Sequence, residues 1–287
     1  MLDAVPELET LERLLDAAEA LSDLELGAIA RSGTSEQLAD TCVAQPLLYL
    51  TDWAWGFTLL DSGIEPVAVA GHSLGELAAL AVAGVFSPEA GLELVVERSK
   101  LMAATAASTP GGMSAVLGLR SHEIASAIKG IDGVWVANDN SVTQVVITGT
   151  HAGIQDATTA LLSAGARKVI PLAVAGPFHS PLMEPARAAF ERILVETEFA
   201  DAKVPVLQNT DPTAVTDSKV IRKRLIDQIT APVRWTETMA ALAANGPIRL
   251  IETGPGAVLA GLAKRLESVS CVAIETADLE AVVEEVS

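Results

Sequence analysis

Pro66-Val67-Ala68-Val69-Ala70-Gly71-His72-Ser73-Leu74-Gly75-Glu76-Leu77-Ala78-Ala79 decides how the chain is read. Val67 to Ala70 is an uninterrupted run of small apolar residues, as a parallel strand covered on both faces requires, and Leu77 to Val82 continues in helix formers. Between them Gly71-His72-Ser73-Leu74-Gly75 is a G-x-S-x-G turn. Such a pattern alone recurs by chance in about one chain of this length in ten, so the strand before it and the helix after it carry the reading. A serine forced onto a strand-to-helix corner exposes its hydroxyl, and glycines are expected on either side because side chains there would clash. The same corner aims the Leu74 N–H at any oxyanion forming beside Ser73. Ser73 is the candidate nucleophile and Leu74 the candidate oxyanion donor.

Working outward, the helix after Ser73 is expected to stop near Gly84, and Ser87-Pro88-Glu89 caps the next, running from Pro88 to about Ala106. Glu89, Glu93, Glu97 and Lys100 share one face of that helix, while Gly91, Leu92, Val95, Met102 and Ala106 share the other. Arg98 falls on the apolar face. A guanidinium stays protonated, so there it must meet a carboxylate, snorkel to water or serve a ligand. Upstream, leucines at 8, 11, 14, 15 and 21 mark an amphipathic helix pair over Leu2 to Leu21, broken near Pro6. Thr34-Ser35-Glu36-Gln37-Leu38 reads as a capped short helix, and Gln45-Pro46 as the start of a longer one to about Leu60.

Composition shifts at Ser108-Thr109-Pro110-Gly111-Gly112. Beyond it the pattern predicts strand 113–119, helix 121–129, strands 134–138 and 144–149, helix 151–164 and strand 167–174, the β-α-β-β-α-β order of a ferredoxin-like unit. We read 108–174 as a small inserted domain, and 1–107 with 175–287 as a large one. The latter continues with the loop Ala175 to Pro181, a helix over Leu182 to Val195, a strand over Val204 to Leu207 and helices 218–229 and 235–244. A strand over Arg249 to Glu252 then turns through Thr253-Gly254-Pro255-Gly256 into helix 257–266, and Cys271 to Ile274 is the last strand. Strands alternating with helices imply a parallel main sheet, so the fold class is α/β.

The 287 residues are 50% hydrophobic and only 3% aromatic, enough to bury a full core on small side chains. A formal charge of −18 repels nucleic acid and anionic membrane, which excludes both as expected partners. An acidic partner would need a basic patch, for which Arg222-Lys223-Arg224 and Lys264-Arg265 are the candidates. Cys42 and Cys271 lie far apart and away from histidine, as free thiols of a reducing compartment do. With no signal-like N-terminus, and an apolar maximum at Leu77 to Phe86, a cytoplasmic protein is expected.

A serine hydroxyl needs a general base. Of four histidines, His72 adjoins Ser73 and points elsewhere, and His122 and His151 begin helices of the small domain. His179 sits in the loop returning to the main sheet, where a cleft between domains would lie, and is the base by elimination. Asp211 and Glu252 end strands, but the first precedes a turn and the second can cap a helix. Both stay candidates for orienting the imidazole, and a backbone carbonyl is the alternative to either.

Taken together, these residues resemble the malonyl-CoA:acyl carrier protein transacylases and the acyltransferase domains of polyketide and fatty acid synthases. The matching segments are Gly71-His72-Ser73-Leu74-Gly75-Glu76, Glu97-Arg98-Ser99-Lys100-Leu101-Met102, Asn138-Asp139-Asn140-Ser141 before Gln144 to Gly149, Pro177-Phe178-His179, Ala231-Pro232-Val233-Arg234-Trp235 and Gly254-Pro255-Gly256-Ala257-Val258-Leu259. They keep the family's order from about Gln45 to Leu266. The resemblance implies an α/β-hydrolase-like large domain with a ferredoxin-like insert. It further implies that Ser73 is malonylated by malonyl-CoA and passes the group to the phosphopantetheine thiol of acyl carrier protein, supplying fatty acid synthesis without a cofactor or metal. His179 would be the base, Gln228 would orient it through its backbone carbonyl, and Arg98 would bind the malonyl carboxylate. Met102, Gln45, Asn138 and Phe178 would line the substrate site, Phe178 being the residue that malonyl-selective members carry.

Family members begin with a strand and a Gly-Gln-Gly-x-Gln loop whose glutamine gives a second oxyanion N–H, whereas this sequence opens at Met1-Leu2-Asp3. The expectation is a start further upstream; a shortened form is the alternative, and one such donor is worth about 3 kcal/mol. A serine esterase or thioesterase would share the elbow and base without using Arg98. A non-catalytic docking module is the third reading.

Overall fold

The computed structural model of the chain describes Leu2, residues 5–264 and residues 266–286. The leucine-patterned stretch, expected as a helix pair over Leu2 to Leu21 broken near Pro6, forms one helix after that proline, α1 (Glu9–Ser22), which buries Leu14; a second helix, α2 (Leu26–Ser32), lies beyond the pattern and buries Leu26. The short capped helix is α3 (Ser35–Ala39): the Gln37 N–H donates to Thr34 Oγ1 and the Thr34 N–H to Gln37 Oε1, a reciprocal capping box. The next helix, α4 (Thr41–Asp61), starts a turn earlier than Gln45-Pro46 suggests, because the Asp40 carboxylate accepts the Cys42 N–H at 2.7 Å. Pro46 therefore lies inside the helix.

The elbow strand is shorter than its apolar run. Only β1 (Val69–Ala70) pairs, and Val67 is 76% exposed. It leads into α5 (Gly75–Val82), which ends before Gly84 at φ 74°, and then α6 (Pro88–Ser108), N-capped by Ser87. These helices pack closely. Tyr49 on α4 donates its hydroxyl to the Pro88 carbonyl, and a Cβ at Gly91 would stand 2.2 Å from the Tyr49 hydroxyl oxygen, so α6 needs glycine there.

A four-stranded antiparallel sheet follows, built from β2 (Gly112–Leu117), β3 (Val134–Ser141), β4 (Gln144–Gly149) and β5 (Lys168–Pro171), with α7 (Ser121–Ala127) and α8 (His151–Ser163) between strands. The strand order is β3-β4-β2-β5. Alternate residues serve two cores: Met113, Ala115 and Val146 join the large core with α4 to α6, while Val116, Val145 and Ile147 pack against α7 and α8. Burial on both faces explains the unbroken apolar runs of β2 and β4. β3 breaks register between Val136 and Asn138 and again between Asp139 and Ser141. At the first break the chain reaches out to Val233, whose N–H donates to the Ala137 carbonyl at 2.8 Å and whose carbonyl accepts the Asp139 N–H at 2.9 Å.

After a 3-10 turn at Pro181–Met183 come α9 (Glu184–Glu196), β6 (Val206–Leu207), α10 (Ser218–Gln228), α11 (Trp235–Leu242), β7 (Ile248–Glu252), α12 (Val258–Ala263), β8 (Val269–Ala273) and α13 (Leu279–Val286). The parallel strands form two pairs, β1 with β6 and β7 with β8, rather than the one main sheet that alternation predicts. The first pair is short because both chains leave it at once for the elbow and for Gln208-Asn209. Among the described residues no helix is long and apolar enough to cross a membrane.

The basic run on α10 is largely engaged within the chain. Arg222 donates to the Thr197 carbonyl and lies 4.7 Å over the Phe199 ring, Lys223 pairs with Asp227, and Arg224 pairs with Asp211. Lys264 is exposed, and Arg265 lies outside the described residues.

Candidate active site

The elbow is held by contacts that dictate its residues. A Cβ at Gly71 would stand 2.0 Å from the Gly75 carbonyl carbon and oxygen, so only glycine lets β1 pass so close to the start of α5. Gly75 differs from expectation: a Cβ there meets only Asp52 Oδ2 at 3.7 Å, an ordinary contact, and the position serves by lending its backbone to the Gly71 approach. Ser73 adopts φ 51°, in the left-handed region. Leu74 is the residue before α5, and its N–H has no hydrogen-bond partner among the described residues.

His179 is 4% exposed and also left-handed, at φ 56°. Its Nε2 lies 2.8 Å from Ser73 Oγ. Its Nδ1 faces the Gln228 carbonyl at 3.0 Å and the Ala231 carbonyl at 3.2 Å. Carbonyls only accept, so the proton sits on Nδ1 and the Nε2 lone pair is turned to the serine hydroxyl. Burial first, and then the Arg98 charge, hold the imidazole at about 3, opposed by the two carbonyls.

Arg98 is 1% exposed. Its Nη1 donates to Gln45 Oε1 at 2.5 Å, and its Nη2 donates to Gln228 Oε1 at 2.9 Å and Ser73 Oγ at 3.3 Å. Nε is buried without a partner. No carboxylate forms an ion pair with this guanidinium among the described residues; burial lowers Arg98 to about 10, opposed by the charge of Glu76. Gln45 Nε2 in turn rests on Met102 Sδ at 3.7 Å. Gln228 contributes more than its carbonyl, since its Nε2 donates to the Ser73 carbonyl at 2.9 Å.

Ser73, Leu74, His179, Arg98, Gln228, Gln45 and Met102 are thus one cluster. Phe178 is buried in the large core beside Ala106 and Gly176. Asn138 lies at the first register break of β3 and shares no hydrogen bond with Ser73, His179 or Arg98 among the described residues. Two residues further on, Asn140 accepts the His72 Nε2–H at 2.8 Å, and the His72 ring stands edge-on to Trp235. Three further residues escaped the sequence reading. Asn209 bridges the elbow, its Nδ2 donating to the Gly71 carbonyl at 2.6 Å and its Oδ1 accepting the Ser73 N–H at 2.7 Å. The buried Glu76 carboxylate accepts the Asn209 N–H at 2.7 Å and Gln208 Nε2 at 3.0 Å. Burial raises Glu76 above the usual carboxylate range, opposed by those donors and by Arg98. Asp211 and Glu252 are occupied elsewhere, the first with Arg224 and the second capping α12 through the Leu259 and Ala260 N–H groups.

Over residues 8–280, a span that takes in Ser73, Arg98 and His179, the chain matches a known family described as the acyl transferase domain. The chain belongs to the acyl transferase domain family. The acyltransferase is 42% identical over 233 residues to a malonyl CoA-acyl carrier protein transacylase of Synechocystis, covering 81% of this chain and 78% of that one. It is 36% identical over 281 residues to the protein of the same name from Bacillus subtilis, covering 95% and 89%. Among solved structures it matches a malonyl-transacylase in complex with its type II polyketide acyl-carrier protein, at TM-score 0.90 and 35% identity over 97% of this acyltransferase and 92% of that chain.

Proposed function

We propose that this acyltransferase moves a malonyl group from malonyl-CoA to the phosphopantetheine thiol of acyl carrier protein through a malonyl ester on Ser73. The observation that carries the reading is the placement of Arg98. A buried guanidinium that forms no ion pair with a carboxylate among the described residues lies 3.3 Å from the nucleophilic oxygen, where an acyl group with a negative far end profits from it. The names of the relatives support the same substrates.

In the first half-reaction Ser73 Oγ attacks the thioester carbonyl as its proton passes to His179 Nε2. The Gln228 and Ala231 carbonyls keep Nδ1 protonated and stabilise the imidazolium. The carbonyl oxygen gains negative charge and accepts from the Leu74 N–H. The C–S bond then breaks, and the CoA sulfur takes the proton held by His179. In the second half the carrier thiol gives its proton to His179 and attacks the serine ester, and Ser73 Oγ leaves with that proton. Throughout, Arg98 grips the malonyl carboxylate, Gln45 and Met102 hold the guanidinium in place, and Asn138 and Phe178 line the acyl pocket. The chain supplies all of this chemistry with no cofactor.

The β-α-β-β-α-β order and the β3-β4-β2-β5 sheet support a ferredoxin-like small domain over 108–174, inserted in an α/β-hydrolase-like domain of 1–107 and 175–287. Malonyl transfer of this kind serves fatty acid synthesis in the cytoplasm. The test is transfer itself: incubation with malonyl-CoA and phosphopantetheinylated acyl carrier protein is expected to yield malonylated carrier, and hydrolysis to free malonate alone would favour the thioesterase reading instead.

A further inference from the structure

We infer that Asn209, backed by Glu76 and Gln208, is a positioning residue for the acyl transfer reaction: it clamps the strained elbow so that Ser73 Oγ meets His179 and the Leu74 N–H stays free. The inference rests on the malonyl-transfer reading for its substrate, though not for its geometry.

Ser73 holds a left-handed backbone without being glycine, a strained conformation that persists only where the surroundings impose it. Asn209 imposes it from one side. Its carboxamide meets the carbonyl before the turn and the N–H within it, fixing both arms of the corner with a single rigid group. The Gln228 Nε2 bond to the Ser73 carbonyl fixes the outgoing arm. Because Asn209 Oδ1 takes the Ser73 N–H, that donor is withdrawn from the reaction, and the Leu74 N–H is the one left for the oxyanion.

Asn209 is itself anchored. Its backbone N–H donates to Glu76 Oε2, and Gln208 Nε2 bridges Glu76 Oε1 and the Ile221 carbonyl on α10. Glu76 stands in the first turn of α5, directly after the elbow, so the carboxylate ties the end of β6 to the helix that carries Leu74. Every member is buried, where an amide hydrogen bond is stiff and its loss is felt in full.

The test uses two readouts on the whole enzyme. Steady-state malonyl transfer separates kcat from KM for malonyl-CoA, and a small fluorophosphonate reports the intrinsic reactivity of Ser73 with no malonyl group involved. Asn209→Ala is expected to lower kcat and the phosphonylation rate each by about a hundredfold, with KM changed less than about threefold. Asn209→Asp keeps the acceptor for the Ser73 N–H but opposes an oxygen to the Gly71 carbonyl, and is expected to fall between Asn209→Ala and the parent. Rates within about threefold of the parent in either folded variant, or a loss confined to KM, would overturn the clamp. If Asn209→Ala does not fold, Asn209→Asp decides by the same criteria. If the parent is phosphonylated at Ser73 yet transfers no malonyl group, it is the malonyl reading that fails.

Discussion

Ser73 and His179 meet at 2.8 Å, Oγ to Nε2, from two backbones that both sit in the left-handed region, at φ 51° and 56°. Neither is glycine, so the strain is held by neighbours: Asn209 and Gln228 around the serine, the Gln228 and Ala231 carbonyls around the imidazole. Gln228 serves both partners, which couples the position of the nucleophile to that of its base.

Arg98→Ala is expected to lower kcat/KM for malonyl-CoA by about a hundredfold or more while improving use of acetyl-CoA, because a buried charge-assisted contact is lost only for the dicarboxylic acyl group. Arg98→Lys is expected to recover little, since one ammonium cannot replace the contacts to Gln45, Gln228 and substrate together. Parallel kinetics with both donors check this; equal losses would remove the carboxylate role.

The base should stay neutral in acid. With His179 held at about 3, the Ser73 phosphonylation rate should show no inflection near 6.5 and should fall only toward that lower value. In Arg98→Ala one cause of the depression is gone, so the acid limb should move up. Stability follows the opposite partner: between about 6.5 and 3 the unfolded imidazole binds a proton that the folded one refuses, so His179 contributes stability that is lost as pH falls through that window. A rate profile with matched thermal unfolding at each pH measures both.

Much of this was legible in the sequence, for local reasons. The elbow, the Thr34 capping box and the Ser87 cap are set by residues within a few positions of one another, and Arg98 declared itself by helical spacing against an apolar face. His179 emerged by elimination. The Asn209 clamp did not, because its contacts to Gly71, Ser73 and Glu76 join residues more than a hundred positions apart and carry no periodic signal. The start of α4 was missed because Pro46 outshone Asp40 as a boundary mark. Val67 looked like strand and is exposed, since apolar runs do not say which residues find a partner.

Asp52, on α4, is half-buried, with its Oδ1 enclosed and lacking a partner among the described residues, and desolvation together with Glu252 raises its carboxyl to about 7. The folded chain therefore holds a proton that the unfolded chain releases, and stability falls as pH rises from about 4 to about 7, by on the order of 4 kcal/mol. Asp52→Asn is expected to unfold at higher temperature than the parent at pH 8 and to lose that slope. Thermal melts across the range check it; an unchanged slope would place the titration elsewhere.

Gly71→Ala is expected to abolish activity with a marked loss of stability, because its methyl would overlap Gly75 backbone that cannot move without unwinding α5. Ala at Gly75 meets only an ordinary contact and should fold normally. Circular dichroism melts of the pair compare the two sides of the elbow directly.

The most direct test of the account is the intact mass of the protein after brief exposure to malonyl-CoA, with peptide mapping of the modified site. The account requires one added malonyl group on Ser73, removed by holo acyl carrier protein and absent from Ser73→Ala. An unmodified mass, or a malonyl group that persists in Ser73→Ala, would contradict it.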